Sequence, residues 1–230
     1  MSAAPIHIAG ERLMLDPAGL LAWPAERTLA VADLHLEKGS HFASRGAFVP
    51  PYDTRETLER LAAALRRWSP ARLVLLGDSF HDTRGCARLQ AADCAALRRM
   101  LDGLEVVWVL GNHDPSGPED LPGTRVEAWG MGPLVFRHIA QQGASGEVSG
   151  HYHPKASMPT RAGVVTRPCF LADARRVVLP SFGAYTGGLD IRDPAVAGLF
   201  PRGGRAFLLG QGRLFSFPTG PLRAATVRAG

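Results

Sequence analysis

Apolar and polar positions along the chain fall into two regimes, divided near residue 124. Before it, short continuous apolar runs alternate with segments of helical period. Thr28–Ala32, Arg72–Leu76 and Glu105–Leu110 are runs of the kind found in strands buried on both faces. Between them Leu58, Leu61, Ala62, Leu65 and Trp68 recur at helical spacing, and so do Cys94, Leu97 and Leu101 within 89–101. Asp53, with Glu56 three residues on, has the form of a capping box opening the first helix. Ahead of these units, Arg12–Leu15 and Leu20–Trp23 flank Asp16-Pro17-Ala18-Gly19, which predicts a β-hairpin. Residues 34–51, with Gly39, Gly46 and Pro50-Pro51, lack either period and read as a long functional loop.

The order strand, helix, strand, helix, strand predicts βαβ units around a mostly parallel sheet. Beyond residue 124 the signal is all strand: 125–128, 134–138, 146–150, 163–169, 176–179, 205–209 and 213–217, separated by Gly, Pro or polar turns. No repeat or linker divides the chain, so residues 1–230 are expected to form a single α/β (α+β) domain.

Composition narrows the class. No apolar run approaches the ~18 residues of a membrane span, and no secretory leader is visible, so a cytoplasmic location is expected. Cys86, Cys94 and Cys169 are odd in number and not in CxxC spacing, which excludes a disulfide framework and a zinc ribbon. The charge is +5, carried almost wholly by arginine, since Lys38 and Lys155 are the only lysines. That suits planar contacts to phosphate, although the pairs Arg66-Arg67, Arg98-Arg99 and Arg175-Arg176 read as ordinary solvated charge.

The histidines change the picture most. Three apolar runs end in glycine followed by a metal-capable residue: Gly77-Asp78, Gly111-Asn112-His113-Asp114 and Gly150-His151-Tyr152-His153. A fourth ends in Asp33-Leu34-His35, and His138 follows the run from Leu134. Ligands gather at the carboxyl ends of strands in open α/β sheets, so these ends are expected to converge. If the segments are extended, residues i and i+2 share a face, and Asp33 with His35, or His151 with His153, would reach one cluster. Asp33, His35, Asp78, Asn112, His138, His151 and His153 offer nitrogen and oxygen donors without thiolate, suited to Mn²⁺, Fe²⁺ or Zn²⁺. Seven are too many for one ion and enough for two, about 3.5–4 Å apart, if one carboxylate bridges.

The ordered set Asp33-x-His35, Gly77-Asp78, Gly111-Asn112-His113-Asp114, His138 and Gly150-His151-x-His153 resembles the signature of the calcineurin-like metallophosphoesterases. The resemblance implies a four-layer αββα sandwich of the metallo-dependent phosphatase type. It implies one metal on Asp33, His35, Asp78 and His153, and a second on Asp78, Asn112, His138 and His151. His113 would be general acid or transition-state stabiliser, oriented by Asp114. The wording around 32–39, 76–82 and 179–190 further resembles the bacterial DNA-ligase-associated metallophosphoesterases, the PdeM family. That implies a phosphodiesterase or DNA endonuclease in DNA repair, associated with a ligase, a helicase and an exonuclease; the expected ions are two Mn²⁺, with Fe²⁺ or Zn²⁺ as alternatives. One departure bears on substrate: serine/threonine phosphatases of the superfamily carry an arginine four residues after the bridging aspartate, where this chain has Asp82.

Outside that set, His41, His81, Arg45, Arg84 and Lys155 are candidates for contacts to substrate or to the metal ligands. The segment 181–188 could present backbone N–H groups to a phosphate, or form a tight turn. Two other functions fit the residues: hydrolysis of small nucleotides or other phosphoesters without DNA, and a non-catalytic scaffold, which the full complement of ligands argues against.

Overall fold

The computed structural model describes residues 2–47, 50, 52–161 and 163–221. In chain order the strands of the first sheet are β1 (Ala4–Ile8), β2 (Glu11–Asp16), β3 (Leu20–Trp23), β4 (Thr28–Val31), β5 (Arg72–Leu76), β6 (Glu105–Val109) and β7 (Thr124–Val126), adjacent in that order. The second sheet holds β8 (Ala128–Met131), β9 (Leu134–Arg137), β10 (Glu147–Ser149), β11 (Lys155–Thr160), β12 (Gly163–Ala172), β13 (Arg176–Val178), β14 (Gly204–Leu209) and β15 (Leu214–Thr219). Its order is β15-β14-β12-β13-β10-β9-β8, with β11 paired to β12. The helices are α1 (Lys38–Ala43), α2 (Asp53–Trp68), α3 (Gly85–Arg88), α4 (Ala91–Leu101) and α5 (Pro194–Ala197).

The alternation within each strand decides the layers. Val74 and Leu76 of β5 join Leu13, Leu15, Trp23 and Val107 in a core against Phe136, Val148, Phe170 and Val177 of the second sheet. Leu73 and Leu75 point the other way, onto Leu58, Leu61 and Ala64 of α2 and Leu97 and Leu101 of α4. The far face of the second sheet, with Cys169, Leu171, Val178 and Leu208, is covered around α5 by Val196 and Phe200. Two stacked sheets flanked by helices are the arrangement expected of a metallo-dependent phosphatase, with a thin outer layer on the second sheet. No helix among the described residues is long and apolar enough to cross a membrane.

Three local expectations need correction. Only β4–β7 run parallel; β1–β4 are antiparallel, so half of the first sheet is a meander. The stretch 34–51 contains α1, and its Pro51 lies outside the described residues. No capping box forms at Asp53: Tyr52 is the N-cap, and the buried Asp53 carboxylate instead accepts the Gly39 N–H at 3.0 Å, tying α2 to α1.

Candidate metal centre

Strands β4, β5 and β6 point their carboxyl ends in one direction, and β9 and β10 are parallel to each other in the opposing sheet. The segments that follow these five ends supply Asp33, Asp78, Asn112, His138 and His151, as expected of ligand sites in such sheets. Asp33, His35 and His153 bring one donor atom each within 4.8 Å of one another, and Asp78, His138 and His151 do the same. Asp78 stands between the groups, its Oδ2 3.4 Å from His138 Nε2 and 3.9 Å from His35 Nε2. Asn112 Oδ1 approaches His138 Nε2 at 2.9 Å.

The local backbone differs from the extended segments expected. Asp33, His35, Asp78, His151 and His153 all have positive φ, between 44° and 70°. A left-handed residue with a side chain costs roughly 1–2 kcal/mol, so neighbouring groups must hold these in place. They do: the Asp33 and His35 N–H groups donate to Gly77 O and Asp78 O, and the His151 N–H donates to Asp33 Oδ2 at 2.9 Å. Ser181 Oγ donates to Asp33 O at 2.7 Å, and the Phe182 and Gly183 N–H groups to Ala32 O and Asp33 O. Those two N–H groups are thereby used inside the protein rather than offered to a phosphate. A Cβ on Gly183 would lie 2.0 Å from Leu34 O, so only glycine passes there. Sequence reading missed this strap on the ligand loop; its one signal was a small-residue run after a buried strand.

The donor chemistry fits two cations. Asp33, His35, Asp78 and His138 are almost wholly buried. Ring nitrogens face each other at 3.1 Å (His151 Nδ1 and His138 Nε2) and 3.4 Å (His35 Nε2 and His153 Nε2). The His138 Nδ1–H donates to Leu76 O at 3.0 Å, which turns the Nε2 lone pair toward Asp78 and Asn112. Imidazoles and carboxylates converging on two points are the donor set of borderline divalent ions. Burial pushes His35 down to about 2, with His153 adding to the effect. Burial alone would raise the Asp78 carboxyl; when the His138 ring is protonated, its Nε2–H and positive charge outweigh burial and hold the carboxyl below the usual range.

His113 borders this cluster, 39% exposed, with Nε2 3.9 Å from Asp78 Oδ2. Its Nδ1–H donates to His81 O at 2.7 Å. Asp114, expected to orient His113, does not bond its ring; the carboxylate accepts the Phe80 N–H at 3.0 Å, and burial pushes it up to about 6. His81 stacks edge-on to His35 and His41, and burial followed by Lys38 and His41 pushes it down to about 4. His41 pairs with Asp82, which Arg88 grips with two hydrogen bonds of 2.8 and 2.9 Å. Arg88 was not anticipated, because its partner lies six residues away across a turn. Arg45 and Arg84 are exposed, and no contact joins their side chains to the cluster; Lys155, half-buried, opens β11 two residues past His153.

Gly111 gives a direct test of the packing. A Cβ there would sit 2.2 Å from both Asp78 N and Asp78 Oδ1. Gly111→Ala is expected to displace Asp78 and lower turnover about 10²-fold, the cost of misplacing a reacting group by about 1 Å. Metal content should fall with it in elemental analysis; a fully loaded, fully active variant would refute the contact.

Comparison with known proteins bears on all of this. Residues 26–174 match the family described as calcineurin-like phosphoesterase. Among solved structures, the Pseudomonas putida nuclease MPE is 32% identical, with a TM-score of 0.72, over 94% of this chain and 100% of that one. Yfce, a phosphoesterase from E. coli, aligns over 84% of this chain and 98% of its own at 13% identity and a TM-score of 0.40, too low to carry an argument. No curated protein matches. The chain therefore belongs to the calcineurin-like phosphoesterases, hydrolases of phosphoesters with a binuclear metal centre.

Proposed function

We propose that the protein is a divalent-metal-dependent phosphodiesterase that cuts DNA, acting as a single domain over residues 1–230. The observation that carries the reaction is the pair of donor groups with Asp78 standing between them, beside a half-exposed His113. DNA as substrate is supported by the 32% identity, over nearly the whole chain, to a nuclease. Mn²⁺ is proposed as the ion, with Fe²⁺ and Zn²⁺ equally compatible with the nitrogen and oxygen donors. The likeness of segments 32–39, 76–82 and 179–190 to ligase-associated enzymes supports a cytoplasmic repair role, with a ligase, a helicase and an exonuclease as functional associates.

In this reading Asp33, His35, His153 and Asp78 hold one ion, and Asp78, Asn112, His138 and His151 the other. When bound, the two ions supply water activated at neutral pH and neutralise charge on the phosphoryl oxygens. The protein's own groups do the rest. The His81 carbonyl fixes the His113 ring through Nδ1, leaving Nε2 to carry a proton to the departing oxygen. Asp82 occupies the place of the phosphate-binding arginine of the serine/threonine phosphatases, and the guanidinium beside it, Arg88, is engaged by that carboxylate, which favours a diester.

His113→Ala is expected to retain both ions and to lose about 10²–10⁴-fold on DNA. The loss should be much smaller on a nitrophenyl diester, whose leaving group needs no proton. An equal loss on both substrates would remove His113 as the acid. The function itself is tested by Mn²⁺-dependent turnover of single-stranded DNA, nicked and intact duplex, cyclic nucleotides and a chromogenic diester. Turnover of cyclic nucleotides and the diester without any DNA cleavage would replace this reading with a small-phosphoester hydrolase.

A further inference from the structure

Acidic residues are missing from one part of the fold, which leaves its basic residues unopposed. Residues 155–172 and 194–221 contain Lys155, Arg161, Arg167, Arg202, Arg205 and Arg213 and not one Asp or Glu, in a protein whose total charge is +5. These residues build β11 and β12, then α5, β14 and β15. Between the β11–β12 arm and the β14–β15 hairpin lies a groove of about 430 Å³, lined by Met158, Val165, Arg167, Leu208, Arg213 and Phe215. Phe215 is 43% exposed, and the Arg213 guanidinium lies over its ring, 4.6 Å from the centroid. An exposed aromatic ring backed by a cation, in a groove free of carboxylates, is the pairing that stacks an unpaired base while neutralising its phosphates.

We propose that this groove binds the single-stranded stretch of the DNA substrate that flanks the scissile phosphate. The inference rests on the nuclease reading above. A duplex keeps its base faces stacked and offers Phe215 nothing, whereas a single strand offers every base. The groove is also within reach of the metal centre along the chain: β11 begins two residues after His153, and Met158 is five residues on, about 16 Å at an extended rise. That is a span of a few nucleotides, so a strand cut at the metals would lie along the arm and place a base on Phe215.

The Mn²⁺-loaded protein should be assayed on a fluorescent oligothymidylate of about 20 nucleotides, over a salt series, beside a nitrophenyl diester too short to reach the groove. Arg167→Glu/Arg213→Glu and Phe215→Ala are each expected to raise KM for the strand about tenfold or more, with kcat little changed and diester turnover retained. The charge-reversed pair should also flatten the dependence of log KM on log salt by about 1.4, for two lost phosphate contacts on a single strand. If charge reversal lowers diester turnover as well, Arg167→Gln/Arg213→Gln decides by the same readouts. Strand cleavage at wild-type KM and salt slope would overturn the groove and leave the nuclease reading standing. Diester hydrolysis without strand cleavage by the wild type would overturn both. Variants that lose a dimer on sizing while cleaving normally would show the face to be a contact between copies of the chain, and not a DNA site.

Discussion

Asp78→Asn is expected to lower turnover on every phosphodiester by at least about 10³-fold, which corresponds to roughly 4 kcal/mol of transition-state stabilisation. The carboxylate is almost wholly buried, faces His138 Nε2 at 3.4 Å and His35 Nε2 at 3.9 Å, and accepts the His113 N–H at 2.9 Å. The amide has the same shape but carries no charge, and it aims either an oxygen or an NH₂ at each group, never an oxygen at both. Elemental analysis should find fewer than two ions per chain, with a near-native melting temperature in the metal-free protein. A loss common to DNA and a nitrophenyl diester separates this variant from His113→Ala, whose loss depends on the leaving group. Two bound ions with near-full turnover would show that Asp78 is not shared between the ions.

The contrast between these two variants was legible in the sequence as far as residue identity goes, and only so far. Gly77-Asp78 and Asn112-His113 follow runs such as Arg72–Leu76, whose apolar continuity reports a strand buried on both faces, and the strand ends fix where the donors lie. Conformation was not legible. Asp33, His35 and His151 adopt positive φ because carbonyls and carboxylates distant in sequence hold their N–H groups there, an effect no local propensity carries. The family resemblance implied that Asp114 orients His113, yet the turn aims its carboxylate at the Phe80 N–H. Strand β11 was missed because Lys155-Ala-Ser-Met-Pro-Thr160 has neither alternation nor β-branched density, and Pro159 is tolerated only because this strand lies at an edge. Helix α1 was read as loop since Gly39 and Ser40 weaken it; its place is secured by Asp53 on the Gly39 N–H.

Glu147→Gln is expected to destabilise the protein by about 3–5 kcal/mol, because it strips a buried ion cluster of its only anion. Glu147 is fully buried in β10 and lies 3.2 Å from Arg137 Nε on β9 and 3.2 Å from Arg176 Nη1 on β13. It also accepts the Gln141 N–H at 2.8 Å, while Arg176 Nη2 donates to Gln141 O and Ala144 O. The cluster spans three neighbouring strands, and Arg137 immediately precedes His138, while Glu147 lies four residues before His151. Its loss therefore leaves two guanidinium groups without a counter-charge and loosens the register that aligns two donors of the same group. For a chain of this size the melting temperature should fall by roughly 6–20 °C. Replacing all three residues together, Arg137→Met, Glu147→Leu and Arg176→Met, should restore most of the stability, since an apolar cluster needs no counter-charge. A Glu147→Gln protein that melts within about 2 °C of wild type, less than 1 kcal/mol at this size, would show that the strands are held without the ion cluster.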